Sequence, residues 1–197
     1  MRANKGIIVA VCLVVMAALG WGQAMANVTV LQQGVDGYAG CKDTWISNEK
    51  WETRRNYGRS GTMAAGGQRH MLVRFDLAGI AKGDTVHKAV LRLSDTGFPR
   101  KGRDGKFAST LEAYALAREW SDSASWGAHA RKSWRDKGEP WATPGGEFDE
   151  KTKTGPDVLV DGPWGHVHEL DVTEIVRAWI GGKLANHGFL VKGVGRG

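Results

Sequence analysis

The chain has 197 residues, of which 24% are charged, and a formal net charge of +6. That length is enough for one domain with a hydrophobic core. The basic surplus is far below the charge density of nucleic-acid-binding proteins, so the composition argues against a nucleic-acid partner. The 28 glycines and nine tryptophans are typical of an all-β domain built from short strands and long loops.

The first 26 residues have the features of a secretory signal peptide. Arg2 and Lys5 precede an apolar run from 7 to 21, and residues 24 to 26 spell the Ala-Met-Ala that a signal peptidase reads. We therefore expect cleavage after Ala26 and a mature protein that is periplasmic, on the cell surface or secreted. An uncleaved membrane anchor is the alternative, but the run is short for a spanning helix. No membrane insertion is expected after cleavage.

Alternation of apolar and polar residues predicts a series of short strands. Residues 70 to 77 place Val73 and Phe75 on one face and Leu72 on the other. Residues 87 to 94 alternate in the same way. Leucine, glutamate and alanine at 109 to 117 favour a helix by propensity, but the position among strands favours a strand. Strands are also predicted at 28–31, 43–46, 164–172 and 187–193.

One short helix is predicted near the end of the chain. Asp171 is its expected N-cap, Glu174 follows three residues later, and Gly181 and Gly182 close it. Short strands at irregular spacing, long loops and a brief helix together predict an all-β, jelly-roll-like β-sandwich. We find no repeat and no internal boundary, so residues 27–197 are predicted to form one domain.

Several short stretches, taken together with their order along the chain, resemble those of a known family. They are LQQGVDGYAGCKDTWI, NYG, LVRFDL, the connection and strand from 80 to 93, WATPGG, LDVTEIVRAWIGG and NHGFLVKG. In this order they resemble the DNRLRE-domain family. Its members are exported β-sandwich modules related to carbohydrate-binding modules that recognise acidic polysaccharides such as alginate. The resemblance covers residues 28 to 193. Members continue past the GFLVKG strand, so the resemblance implies that this chain lacks its C-terminal strand or strands, or has an open sheet edge.

Residues 119 to 146 hold four tryptophans with no helical or alternating period. They either cover a hydrophobic core or form a surface on which sugar rings stack. The resemblance matches Trp120, Trp126 and Trp141 to recurring positions, which favours a structural cover. Trp134 lies among cations and is the expected exposed platform.

Residues 41 to 59 are the better candidate ligand surface. Aromatic rings can stack on sugars, and basic side chains can pair with carboxylate or sulfate groups along an acidic polymer. An ordinary solvated loop, partly neutralised by Glu49 and Glu52, is the alternative. The candidate ligand residues are Lys42, Trp45, Lys50, Trp51, Arg54, Arg55 and Tyr57.

A structural calcium ion is the cofactor that the sequence allows. Asp36 and Asp43 lie near glycines in a tight bend and could supply oxygen ligands, although such residues can equally stabilise turns. No nucleophile elbow, phosphate loop or metalloprotease helix is present, so we predict no catalysis. The expected function is binding of an extracellular, acidic polysaccharide. The alternatives are a structural or adhesive envelope module that binds proteins, and a uronate-polysaccharide lyase or hydrolase.

Overall fold

The computed structural model describes residues 11–18, 27–66, 68–82, 84–94, 110–133, 135–155, 158–159 and 167–194. Within them, helix α1 spans Thr173–Ile180 and a 3-10 helix spans Glu150–Thr152. The strands are β1 Val11–Ala18, β2 Asn27–Gln32, β3 Cys41–Ser47, β4 Arg69–Phe75, β5 Thr85–Ser94, β6 Thr110–Leu116, β7 Ala128–Ala130, β8 Glu139–Pro140, β9 Phe148–Asp149, β10 Val158–Leu159, β11 Val167–Asp171 and β12 Phe189–Val194.

The strands form two five-stranded antiparallel sheets. The first has the order β10-β11-β5-β1-β2 and the second the order β3-β4-β12-β6-β9, while β7 and β8 pair by themselves. The prediction of an all-β fold with one short helix is therefore confirmed for the described residues. The narrower jelly-roll topology stays a prediction.

The main hydrophobic core lies between the inner faces of the two sheets. Ala89, Leu91 and Leu93 of β5 are buried, as their alternation predicts, and they belong to one cluster with Val73 and Phe75 of β4. Helix α1 closes part of this core with Ile175, Val176 and Trp179. The period-2 pattern of the strands thus places one apolar face of each sheet against the other.

Residues 110 to 116 are a strand despite their helical propensity. Strand β6 pairs with β12 along one side and with β9 along the other, so tertiary pairing decides its conformation. Helix α1 forms as predicted, but its N-cap is Val172, which makes no side-chain cap hydrogen bond, and not Asp171. The Asp171 carboxylate still accepts from the Thr173 amide at 3.0 Å, from the position one residue before the N-cap. Glu174 does not complete a capping box, because it pairs with Arg177 at 2.6 Å.

Strand β1 lies within the apolar run that we predict to be a signal peptide. Its backbone pairs with β2 on one side and with β5 on the other, which makes it an inner strand of the first sheet. Cleavage after Ala26 stays a prediction. Cleavage would remove β1 and leave β2 and β5 without the strand between them.

A chain that begins at Asn27 tests the contribution of β1. We expect the β5 amides on the β1 side to exchange hydrogen faster in this chain than in the full chain, because they lose their strand partner. Hydrogen exchange followed by mass spectrometry measures this, with β4 of the second sheet as the internal control. Equal protection of β5 in both chains would contradict the prediction and indicate that β2 pairs with β5 directly.

Candidate functional site

The connection between β6 and β9, residues 117–147, is named the tryptophan loop. It covers the outer face of the second sheet, where Trp120 and Trp141 are buried and Trp126 packs partly buried beside them. This burial agrees with the structural cover predicted from the sequence, and Trp134 lies outside the described residues. The strand residues under the loop are Ile46, Leu72, Tyr114, Leu116 and Leu190.

The segment between β3 and β4 carries most of the predicted ligand residues. Two consecutive turns form it, with hydrogen bonds from the Glu52 amide to the Glu49 carbonyl at 2.7 Å and from the Arg55 amide to the Glu52 carbonyl at 2.8 Å. Trp51 projects from these turns with 79% of its surface exposed. The Lys50 ammonium lies 5.2 Å from the Trp51 ring centroid. An exposed indole of this kind is available to stack on the apolar face of a sugar ring.

An open cleft of about 820 Å³ lies beside these turns, lined by Arg54, Arg55, Asn56, Tyr57 and Arg135. We name it the arginine cleft. All three of its arginines are exposed residues, so the cleft presents basic side chains to solvent. Arg135 comes from the tryptophan loop, and the other residues come from the segment between β3 and β4. The two walls of the cleft are therefore about eighty residues apart in sequence.

Two close contacts hold these walls together. The buried Arg131 guanidinium donates from Nη1 to the Arg54 carbonyl and from Nε and Nη2 to the Asp136 carbonyl, the latter two at 3.0 and 2.7 Å. At Gly58, a Cβ atom would lie 2.3 Å from the Asp122 carbonyl oxygen, so only glycine allows this approach. The cleft is thus preorganised by the Arg131 side chain and by the close backbone approach at Gly58.

The rings of Trp45 and Tyr57 stack on each other behind the cleft, with centroids 3.6 Å apart and planes 15° apart. The Arg69 guanidinium lies 5.6 Å from the Trp45 centroid and pairs with Glu49 at 2.8 Å and Glu52 at 3.4 Å. Burial raises the pKa of Tyr57, and the Glu52 carboxylate adds to the shift, so the phenol stays uncharged at neutral pH. This layered packing supports the wall of the cleft.

The structure therefore brings together only part of the predicted site. Arg54, Arg55 and Tyr57 line one cleft, and Lys50 and Trp51 lie in the adjoining turns. Trp45 supports Tyr57 from behind, so one of its faces is already occupied. Lys42 is exposed on β3 opposite Arg74 and does not line the cleft. Arg135 and Arg131 were missed by sequence reasoning.

The two residues predicted to hold calcium lie in different elements. Asp36 is exposed in the turn after β2 and has a positive φ of 50°, whereas Asp43 is half-buried on β3. Among the residues that the structure describes, no group of three or more His, Cys, Asp or Glu side chains could hold a metal ion. Calcium binding stays a prediction. Cys41, two residues before Asp43 on β3, is a free thiol whose pKa burial raises to about 12.

The variant Asp43→Asn distinguishes two possible roles of Asp43, as a calcium ligand and as a buried charge that destabilises the fold. Burial raises the pKa of Asp43 and the nearby Asp122 carboxylate adds to the shift, so ionised Asp43 destabilises the fold at pH values above its unfolded pKa of about 3.9. We expect Asp43→Asn to raise the free energy of unfolding at pH 7 in chelator, and the gain to shrink as the pH falls towards 4. Urea titrations measure this.

Calcium gives the second arm of this test. A rise in stability with calcium that is present in the wild type and absent in Asp43→Asn would support the predicted site. Lower stability of Asp43→Asn in chelator at pH 7 would contradict the role assigned to the buried charge.

Comparison with models of protein families, with curated protein sequences and with solved structures gives no match. The likeness to the DNRLRE-domain family thus remains an interpretation of the order of short stretches. In the described part of the chain, no helix has both the length and the apolar character needed to cross a membrane.

Proposed function

We propose that this protein binds an extracellular acidic polysaccharide without changing it chemically. The arginine cleft is the observation that carries the proposal. Arg54, Arg55 and Arg135 line one open space, and the described residues that line it include no carboxylate. A cleft with this charge attracts anionic groups.

The chemistry of the lining fits a charged sugar polymer. Each guanidinium is planar, stays charged at all accessible pH values and can pair with a carboxylate or sulfate through two parallel hydrogen bonds. Trp51 offers an exposed ring in the adjoining turns, and such rings stack on the C–H faces of sugars. Charge pairing and stacking on neighbouring surfaces are the two interactions that an acidic glycan needs.

One observation also favours a structural or adhesive envelope module, the second candidate. Trp120 and Trp141 are buried, so these tryptophans stabilise the fold and do not bind a ligand. Trp51 differs from them in its 79% exposure, which is why we prefer the polysaccharide. A uronate-polysaccharide lyase or hydrolase, the third candidate, would release unsaturated or reducing ends from an acidic polymer.

Affinity electrophoresis through gels that contain alginate, pectate or neutral glucan tests the proposal. We expect alginate or pectate, and not glucan, to retard the protein, with retardation falling as salt rises because exposed charges are screened. The variant Arg54→Ala/Arg55→Ala should bind the retarding polymer about tenfold more weakly or worse, since it loses charge-assisted hydrogen bonds.

Lys82→Ala/Lys183→Ala is the matched control, because it removes the same charge from two exposed positions outside the cleft. Its affinity should stay within about twofold of the wild type. Equal losses in both double variants would contradict the assignment to the arginine cleft. A folded protein that no gel retards would contradict polysaccharide binding and favour the structural module.

A further inference from the structure

Strand β1 fills a slot between two other strands of the first sheet. Its backbone pairs antiparallel with β2 along one edge and with β5 along the other. The same residues lie inside the segment from 1 to 26, which the sequence predicts to be a signal peptide. The predicted mature protein therefore keeps both neighbours of β1 and loses β1 itself. We name the space between β2 and β5 the strand slot.

Both walls of the strand slot are held by contacts that do not involve β1. Strand β5 pairs with β11 on its other side. The turn after β2 is joined to β3, because the Cys41 amide donates to the Gln33 side-chain oxygen at 3.2 Å. In the same turn, the Tyr38 hydroxyl donates to the Asp76 carbonyl at 3.0 Å. These contacts remain without β1, so we expect the walls to stay about two strand spacings apart, roughly 10 Å, too far to pair directly.

The inner side of the strand slot belongs to the main hydrophobic core. Leu31 of β2 and Leu91 of β5 both stand opposite residue 13 of β1. Their side chains are buried in this core, as are those of Ala89 and Leu93. Residues directly opposite each other on neighbouring strands share a face of the sheet, so positions 11, 13 and 15 of an occupying strand face the core. Without an occupant, this part of the core borders water.

The outer side of the strand slot offers a positive charge. Position 16 of β1 stands opposite Val28 of β2 and Lys88 of β5. Lys88 is exposed and forms no ion pair with another described residue. The Asp171 carboxylate accepts from the Thr173 hydroxyl at 2.6 Å, and this bond lowers the pKa of Asp171 more than the Lys88 charge does. A carboxylate at position 16 of an occupying strand would therefore face an available ammonium across the strand pair.

Strand β2 lacks the features that usually protect an edge strand. Charged residues, prolines and bulges block strand addition in natural sheets, and the sequence NVTVLQ contains no charge and no proline. On its outer face, Val28 is 57% exposed and Val30 is 41% exposed. Once β1 is removed, neither edge of β2 has a partner among the described strands. Such a strand is open to pairing with a segment from another chain.

We propose that the mature protein binds an extended segment of another exported polypeptide in the strand slot, antiparallel to both β2 and β5. The segment spans eight residues, as β1 does, with aliphatic side chains facing the core and an acidic residue opposite Lys88. Main-chain hydrogen bonds along both edges give affinity, and the alternating side chains give specificity. The inference goes beyond the proposed function, since it concerns a protein partner and a surface outside the arginine cleft. It rests on the predicted cleavage after Ala26.

Refolding of a nicked full chain tests the proposal. A protease site inserted between β1 and β2 allows the folded chain to be cut, after which only strand pairing holds β1 in place. The nicked chain is unfolded in urea and refolded with about a hundredfold excess of a fluorescent peptide, so that mass action favours the peptide over β1. The peptide has the sequence of residues 11–18 with Met16→Glu, between terminal lysines. We expect it to co-purify with the protein, with raised fluorescence anisotropy.

A peptide of the same composition, shifted by one residue, is the matched control. The shift turns its aliphatic side chains to the outer face, so it should bind about tenfold more weakly or worse. A Met16→Lys peptide should bind about threefold more weakly than the Met16→Glu peptide, because like charges then oppose each other. Lys88→Glu in the protein should reverse this order. Lys82→Glu, at an exposed position outside the slot, should leave it unchanged.

The outcomes separate the strand slot from the arginine cleft. Arg54→Ala/Arg55→Ala should take up the peptide as the wild type does, whether or not acidic polymers retard the protein. Recovery of the nicked chain with β1 alone, or equal uptake of the in-phase and shifted peptides, overturns the inference. A processed protein that dimerises without peptide and protects its β5 amides overturns it in favour of a second copy. Protected β5 amides in a processed monomer also overturn it, because the slot is then closed.

Discussion

Trp141→Ala is expected to lower the free energy of unfolding by about 3–5 kcal/mol, the range found when a buried large aromatic is truncated. Trp141 is 3% exposed and packs, as part of the tryptophan loop, with Ile46 and Leu72 on the outer face of the second sheet. Its indole nitrogen donates to the Ser125 carbonyl at 2.9 Å, so the substitution also leaves a buried acceptor without its partner. Urea denaturation followed by far-UV circular dichroism measures the loss.

Trp51→Ala is the matched control, because it removes the same side chain from a site that is 79% exposed. Its effect on stability should stay within about 0.5 kcal/mol, while polymer affinity falls. Trp141→Phe keeps most of the apolar volume and should cost about 1 kcal/mol, the share of one hydrogen bond. Similar losses of stability in Trp141→Ala and Trp51→Ala would show that the tryptophan loop does not cover a core.

Alternation was sufficient to predict the strands of the central core. Residues such as Ala89, Leu91 and Leu93 repeat with period 2, and the burial of every second residue follows from strand geometry. Leu72 was assigned by the same rule to the outer face, and it is fully buried because the tryptophan loop covers that face. A strand buried on both faces loses the contrast on which alternation depends.

Strand β1 is a second case in which the sequence pattern alone does not determine the structural role. An apolar run behind two basic residues has the pattern of a leader, and the same residues also form a strand with apolar character. Period and composition do not distinguish the two roles. Only the pairing of β1 with both β2 and β5 reveals a strand position there.

The candidate sites were only partly predictable because their residues meet through tertiary contacts. Arg54 and Arg55 stand out in sequence as a basic pair near aromatic residues, whereas Arg135 joins them only when the tryptophan loop packs on the turns. Strands β4, β6 and β12 likewise meet only through the pairing of the second sheet. Local patterns can indicate a charged surface, but the partner across a cleft comes from topology.

Arg131→Met is expected to destabilise the protein by about 2–4 kcal/mol and to weaken binding of an acidic polymer. The guanidinium is 8% exposed and joins the two walls of the arginine cleft through the Arg54 and Asp136 carbonyls. Hydrogen bonds to a charged group contribute about 1.5–3 kcal/mol each, and methionine restores only the apolar stem. Arg131→Lys should recover little, since one ammonium lacks the planar fork that reaches both carbonyls.

In Arg131→Met, the loss of stability and the loss of polymer affinity are expected to have the same cause, the missing guanidinium. Without the guanidinium, the turns that carry Arg54 and the loop that carries Arg135 lose their shared contact, so the ligand must hold the walls in place at an entropic cost. Lys132→Met, an exposed neighbour, removes the same charge and should leave stability and affinity nearly unchanged. Urea denaturation and affinity electrophoresis measure both quantities. Stability lost with affinity retained would show that the cleft does not depend on the alignment of its walls, and arginine charge alone would then account for binding.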